Sequence, residues 1–193
     1  MTSPLYFASQ NRHKLNEIMA MTKLNIRPIR ELGFTDELPE SGASLEENAL
    51  QKARFVHNRF KVDCFAEDSG LEVEALGGEP GVHSARYSGD GKDALSNFNL
   101  VLSRMQGQAN RAARFRAVIA LIVGGREYLF EGVLHGNILN TASGTLGFGY
   151  DPIFAPKEEE RSLAQLSAYE KNRISHRGMA LRAMMAFLGN KVG

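Results

Sequence analysis

Cysteine is nearly absent. The 193 residues include one, Cys64, so no disulfide can form within the chain. A lone cysteine in an apolar run suits a reducing compartment. Charge of one sign is not in excess either: 23 Lys and Arg stand against 22 Asp and Glu, a formal net charge of +1. Proteins that bind nucleic-acid polymers usually carry a basic surplus, so an anionic ligand here must be met by a local cluster of cations. Long hydrophobic runs are missing as well. The longest, 117–123, is far too short to cross a bilayer, and residues 1–9 lack the charged and apolar segments of an export signal. A cytoplasmic protein with no membrane partner is expected.

Two common signatures are also missing. No Gly-x-x-x-x-Gly-Lys-Ser/Thr occurs, which excludes a Walker A loop. The five histidines (His13, His57, His83, His135 and His176) are scattered, and none joins the cysteine at zinc-ligand spacing. What remains is the make-up of an ordinary globular protein, 43% hydrophobic and 23% charged. It has no internal repeat and no linker, so residues 1–193 are expected to form a single domain, two-lobed at most.

Periodicity places the elements. Leu5-Tyr6-Phe7-Ala8 reads as a strand, and a helix over about 14–23 carries Leu15, Ile18, Met19 and Thr22 on one face. A polar turn at 37–42 leads to Ser44-x-x-Glu47, the form of a capping box. The helix it opens has an apolar stripe of Leu45, Ala49, Ala53, Val56 and Phe60, with Glu47, Lys52 and Arg54 on other faces. Val62-Asp63-Cys64-Phe65-Ala66 reads as a buried strand ending in Glu67, Asp68 and a Ser-Gly turn. Residues 71–76 alternate like a further strand, and 77–91 form a long glycine-rich loop. A helix over 93–105 precedes two strands, 112–123 and 126–139, joined at Gly124-Gly125 as a hairpin. A helical piece near 162–166 and a last helix over 175–188, stopped by Gly189, complete the chain. The order predicts a mixed α/β fold on a twisted mixed sheet flanked by helices.

Three clusters carry chemistry. Ser9, Asn11 and Lys14 lie where a helix N-terminus offers backbone N–H groups to a phosphate, although Asn11 reads equally well as a plain helix cap. Glu40 and Asp68 each precede a small-residue turn. Two such oxygen ligands, completed by phosphate oxygens and water, suit Mg²⁺. Third, Lys171, His176 and Arg177 cluster at the start of the last helix, where cations oppose the helix dipole and so suggest a ligand contact or a solvated basic turn.

These clusters belong to six motifs in fixed order. They are Ser9-x-Asn11-x-x-Lys14-x-x-Glu17, Glu40-Ser41-Gly42-x-Ser44-x-x-Glu47-Asn48-Ala49, and Asp68-Ser69-Gly70-Leu71-x-Val73. Then come Leu76-Gly77-Gly78-x-Pro80-Gly81-Val82-x-Ser84-Ala85-Arg86-Tyr87, Gly147-Phe148-Gly149-Tyr150-Asp151-Pro152-Ile153-Phe154 and Lys171-x-x-x-Ser175-His176-Arg177. The set resembles the inosine/xanthosine triphosphate pyrophosphatases, the Ham1-type family, over nearly the whole chain. Two positions depart from the usual pattern: Glu67 stands for the first of a pair of aspartates, and Gln10 for a glycine.

The resemblance implies Mg²⁺-dependent hydrolysis of ITP, dITP and XTP to the monophosphate and pyrophosphate. It also implies two lobes around a nucleotide cleft, and a homodimer. Asp68 corresponds to the family's general base and, with Glu40, to its metal ligands. Ser9, Asn11, Lys14 and Lys52 are expected on the phosphates, and Ser69 among the substrate-binding residues. Phe148, with Gly149 and Tyr150, offers a stacking platform, and Asp151, Lys171, His176 and Arg177 offer polar edges to a 6-oxopurine. Two other readings compete with this one. Maf-like nucleotide pyrophosphatases share the architecture but favour Arg at the place of Lys14 and lack the Ser-His-Arg segment. A nucleotide-binding module without turnover would have no need of a base beside a metal.

Overall fold

The computed structural model describes residues 4–191. Among these, six strands form one sheet: β1 Leu5–Phe7, β2 Ile26–Pro28, β3 Cys64–Val73, β4 Ala112–Val123, β5 Arg126–Ile138 and β6 Phe154–Pro156. Their order is β2-β1-β3-β4-β5-β6. β1 runs parallel to β2 and to β3, with Phe7 opposite Phe65, whereas β6 runs antiparallel to β5, with Gly136 opposite Pro156. The sheet is therefore mixed, as expected. Five α-helices accompany it: α1 Arg12–Met21, α2 Leu45–Phe60, α3 Ala94–Arg104, α4 Ala168–Ile174 and α5 His176–Lys191. None is long and apolar enough to cross a membrane.

The chain divides into two compact units. One comprises Met1–Asp68, Ala117–Gly132 and Arg177–Gly193; the other comprises Ser69–Arg116 and Val133–His176. β3, β4 and β5 each contribute residues to both. In the first unit Phe7 stacks on Phe65 with ring centroids 4.8 Å apart. Ile18, Ile119, Leu121, Leu181 and Met184 close the same core. Each such side chain taken out of water contributes about 1.5–3 kcal/mol. In the second unit Phe115 packs against Phe154 and against the ring of His176.

Several expectations are corrected. The α1 stripe continues from Leu15 and Ile18 to Met21, which packs against the core, while Met19 is 52% exposed. In α2 the cap is half a capping box. Ser44 Oγ accepts from Glu47 N–H at 3.1 Å, but Glu47 Oε2 accepts from Ala43 N–H at 2.6 Å. Lys52, placed on another face by the stripe, is buried at 3% exposure beside Ala49 and Ala53. α5 continues through Gly189, which keeps an ordinary helical φ rather than the left-handed one of a stop. β2, β6 and α4 were not anticipated, because three-residue strands and a seven-residue helix show too little periodicity.

The Ser-Gly turn after Asp68 does not exist. β3 runs without a break from Cys64 to Val73, absorbing Ser69-Gly70 and the first part of the strand expected at 71–76. Gly70 serves a close approach instead: a Cβ there would run into the Gly81 carbonyl and reach Ser84 Oγ at 3.0 Å. The predicted hairpin turn is as expected, with Gly124 and Gly125 at φ 55° and 70° between β4 and β5.

Candidate active site

α1 begins directly after β1, and its first turn is ordered by its own side chains. Asn11 Oδ1 accepts from Lys14 N–H at 3.1 Å as the helix cap, and Ser9 Oγ accepts from Asn11 N–H at 3.2 Å. Gln10, in place of the glycine usual in the resembling family, donates from Nε2 to the carbonyls of Thr35 and Asp36. It ties this turn to the segment that leads to Glu40. Lys14 reaches Glu67 Oε2 at 2.7 Å.

β3 and α2 together build the most highly charged group. Lys52 Nζ lies 2.7 Å from Glu40 Oε1, 2.7 Å from Asp68 Oδ1 and 3.1 Å from the Glu67 carbonyl. Lys52 and Asp68 are both buried, and Glu40 is exposed. Burial works against a charge on Lys52, yet the two carboxylates hold its pKa above the ordinary lysine value. Burial also pushes the Asp68 carboxyl above the ordinary range, helped by Glu40 and opposed by Lys52 and Lys14. Besides the Lys52–Glu40 pair, the loop 40–42 is held onto α2 at two further points. Gln51 exchanges two 2.9 Å hydrogen bonds with Ser41, and Asn48 Oδ1 accepts from Gly42 N–H at 2.7 Å.

Glu67, one residue before Asp68, is 1% exposed and receives Lys14 on one oxygen and Arg177 on the other, the latter at 3.1 Å. The second arm of Arg177 meets Glu17 at 2.5 Å. The two added carboxylates compensate a cation that α5 places in its own first turn, where the helix dipole disfavours it. The basic turn is not solvated, since Arg177 is 1% exposed and His176 lies with its ring 4.8 Å from Phe115 at 10° between planes. Across this unit, Glu17, Glu40, Glu67 and Asp68 face Lys14, Lys52 and Arg177. The carboxylates of Glu40 and Asp68 are hard oxygen donors of the kind that suit a divalent cation such as Mg²⁺. Among the described residues no group of three or more His, Cys, Asp or Glu is arranged to hold such an ion alone. Glu40 and Asp68 therefore need oxygen atoms from substrate or water to complete a coordination shell.

The second unit holds a distinct group. Asp151 is buried and accepts from Phe148 N–H at 2.7 Å and from Lys171 Nζ at 2.5 Å, through the same oxygen. The Lys171 ammonium also lies 4.7 Å from the centre of the Phe148 ring. Gly147 is obligatory here: its φ is +76°, and a Cβ would strike the Asp151 carboxylate. Tyr150 is buried and donates to the Ser84 carbonyl at 2.7 Å, with burial pushing its hydroxyl pKa up. Gly149 follows Phe148 with φ +64°, and Ser69 lies half-buried within β3. Asn48, one turn from Lys52, is expected to project toward the same site; the role of Gln51 is not legible in the motifs, and the only signal is its place next to Lys52 on α2.

The first unit thus carries a buried carboxylate–lysine group at the middle of β3, and the second an aromatic–lysine platform. The Ham1 family model matches residues 5–187, and the chain belongs to that family. It is 42% identical over 186 residues, 95% of its length and 97% of the relative's, to a dITP/XTP pyrophosphatase of Flavobacterium johnsoniae. It is 44% identical over 187 residues, 95% and 96% of the two lengths, to the dITP/XTP pyrophosphatase of Porphyromonas gingivalis. Among solved structures, the Ham1 protein of Staphylococcus aureus superimposes with a TM-score of 0.90 at 35% identity, covering 98% of this chain and 100% of that one.

Proposed function

We propose that the protein is a nucleoside triphosphate pyrophosphatase that hydrolyses ITP, dITP and XTP to the monophosphate and pyrophosphate. The observation that carries this reading is the buried Asp68 flanked by Lys52, Lys14 and Glu40. A carboxylate whose pKa is raised by burial is a better proton acceptor than an ordinary one. Asp68 takes a proton from the water that attacks the α-phosphorus. The new P–O bond forms as the bond to the bridging oxygen breaks, and pyrophosphate departs. Lys14 and Lys52 meet phosphate oxygens in exchange for their carboxylate partners, with Ser9, Asn11 and Ser69 as neutral donors.

Glu40 and Asp68 would hold Mg²⁺, which when bound neutralises phosphate charge. Phe148 stacks on the purine with Gly149 and Tyr150 shaping the turn, while Lys171, held by Asp151, donates to the 6-oxo group that adenine lacks. His176 and Arg177 are buried and contribute through ring packing on Phe115 and ion pairs to Glu17 and Glu67, respectively. Product analysis over a panel of nucleoside triphosphates tests it. Pyrophosphate release from ITP and XTP, far faster than from ATP and abolished by a chelator, is expected; orthophosphate release or a preference for ATP overturns it. The family resemblance also supports a homodimer, for which sedimentation equilibrium is expected to give about twice the 21.3 kDa chain mass.

A further inference from the structure

Asn48 is 4% exposed and sits on α2 one turn before Lys52. Its amide orientation is dictated by its partners. Oδ1 accepts from Gly42 N–H at 2.7 Å, so the amino group faces Asp68 and donates to Oδ2 at 3.3 Å. Lys52 takes the other oxygen, Oδ1. The two oxygens of Asp68 are thus each met by a donor from α2, one helical turn apart. The loop carrying Glu40 is seated against the same residue, because a Cβ on Gly42 would lie 2.9 Å from Asn48 Oδ1. We propose that Asn48 is a positioning residue that sets the orientation of the Asp68 carboxylate against the Glu40 loop, so that the two carboxylates present one preformed oxygen set.

This inference rests on the assignment of Asp68 as base and of Glu40 and Asp68 as metal ligands. It is distinct from simple loop fixation, for which Gln51 already holds Ser41 by two bonds. Groups that orient a ligand carboxylate typically matter by about 10–100-fold in metal affinity or activity. The test compares Asn48→Ala with Gln51→Ala in the full chain, reading kcat on ITP and, separately, Mn²⁺ binding to the substrate-free protein by electron paramagnetic resonance. Circular dichroism checks the fold, and Asn48→Ser replaces Asn48→Ala if the latter does not fold.

Asn48→Ala is expected to lower kcat and Mn²⁺ affinity each by about 10–100-fold, while Gln51→Ala stays within a few fold of wild type. Equal losses in the two variants reduce Asn48 to a loop tether and overturn the proposal, as does a folded Asn48→Ala with wild-type kcat and Mn²⁺ affinity. If the wild type hydrolyses ITP without any divalent ion, the metal assignment fails on its own, and the kcat comparison still decides for or against Asn48.

Discussion

At the scale of single residues, Asp68 and Arg177 show how the same burial serves two purposes. Asp68 is buried with partners on both oxygens, yet its neighbour Glu40 is exposed, so the pair joins a desolvated base to an open side. Asp68→Asn keeps the shape but removes the proton acceptor, and its amide can accept from only one of the two donors, Lys52 Nζ and Asn48 Nδ2, that meet the carboxylate. Turnover of ITP is expected to fall by about 10²–10⁴-fold in protein that circular dichroism shows to be folded, with a lowered melting temperature because the buried Lys52 loses a charged partner. Arg177 is a different case, because its guanidinium is committed to Glu17 and Glu67. Arg177→Ala leaves Glu67 buried with one partner fewer, and breaking such a pair costs about 3–5 kcal/mol. The urea midpoint should drop accordingly. A variant that keeps its midpoint and loses only its preference for ITP over ATP would make Arg177 a reader of the base and not a structural clamp.

At the scale of elements, the caps give the cleanest pH dependence. Glu170 closes the capping box of α4 by accepting from Ser167 N–H at 2.9 Å and Ser167 Oγ at 2.7 Å, with Arg161 alongside. These bonds hold its carboxyl at about 2, Ser167 first and Arg161 after it. A depressed carboxylate stabilises the folded state fully above its unfolded value near 4.5, and loses that contribution as pH falls toward about 2. Wild type should therefore melt above Glu170→Gln at pH 6, and the gap should close progressively below pH 4.5. A gap that stays constant across this range would show that the carboxylate charge is irrelevant to α4.

The elements also show what a sequence can tell. α2, α3 and the hairpin are recognisable because each repeats its period over ten residues or more and has a boundary marked by residue chemistry: the N-caps Ser44 and Asp93 open the helices and Gly124-Gly125 turns the hairpin. Ser69-Gly70 misled, because glycine serves close backbone approach as well as turns, and only the position of Gly81 decides between the two. Lys52 misled for a related reason. A lysine looks like a surface residue until two carboxylates from other segments, Glu40 and Asp68, are brought to it. The motifs named the charged residues of the site, but their pairing depends on contacts between residues far apart in sequence, such as Arg177 with Glu17 and Glu67. α4 carried a readable signal in Ser167-x-x-Glu170, hidden by the brevity of the helix.

At the scale of the whole molecule, Cys64 is a built-in reporter. It is the only cysteine, is fully buried in β3, and donates from Sγ to the Ala53 carbonyl at 3.3 Å. Burial first, with Asp63 beside it, pushes its thiol up to about 12, so at pH 8 almost none is thiolate and none is within reach of a reagent. Labelling by an aromatic disulfide must therefore wait for β3 to open. β3, β4 and β5 each supply residues to both compact units, so opening at Cys64 is coupled through shared strands to the loss of both. The expected result is a native labelling rate at pH 8 lower by several orders of magnitude than in denaturant. The urea midpoint read by labelling should coincide with that read by circular dichroism. Labelling that runs ahead of the loss of secondary structure would mean that the first unit opens by itself, and would separate the stability of the Glu40–Lys52–Asp68 group from that of the Phe148–Asp151–Lys171 platform.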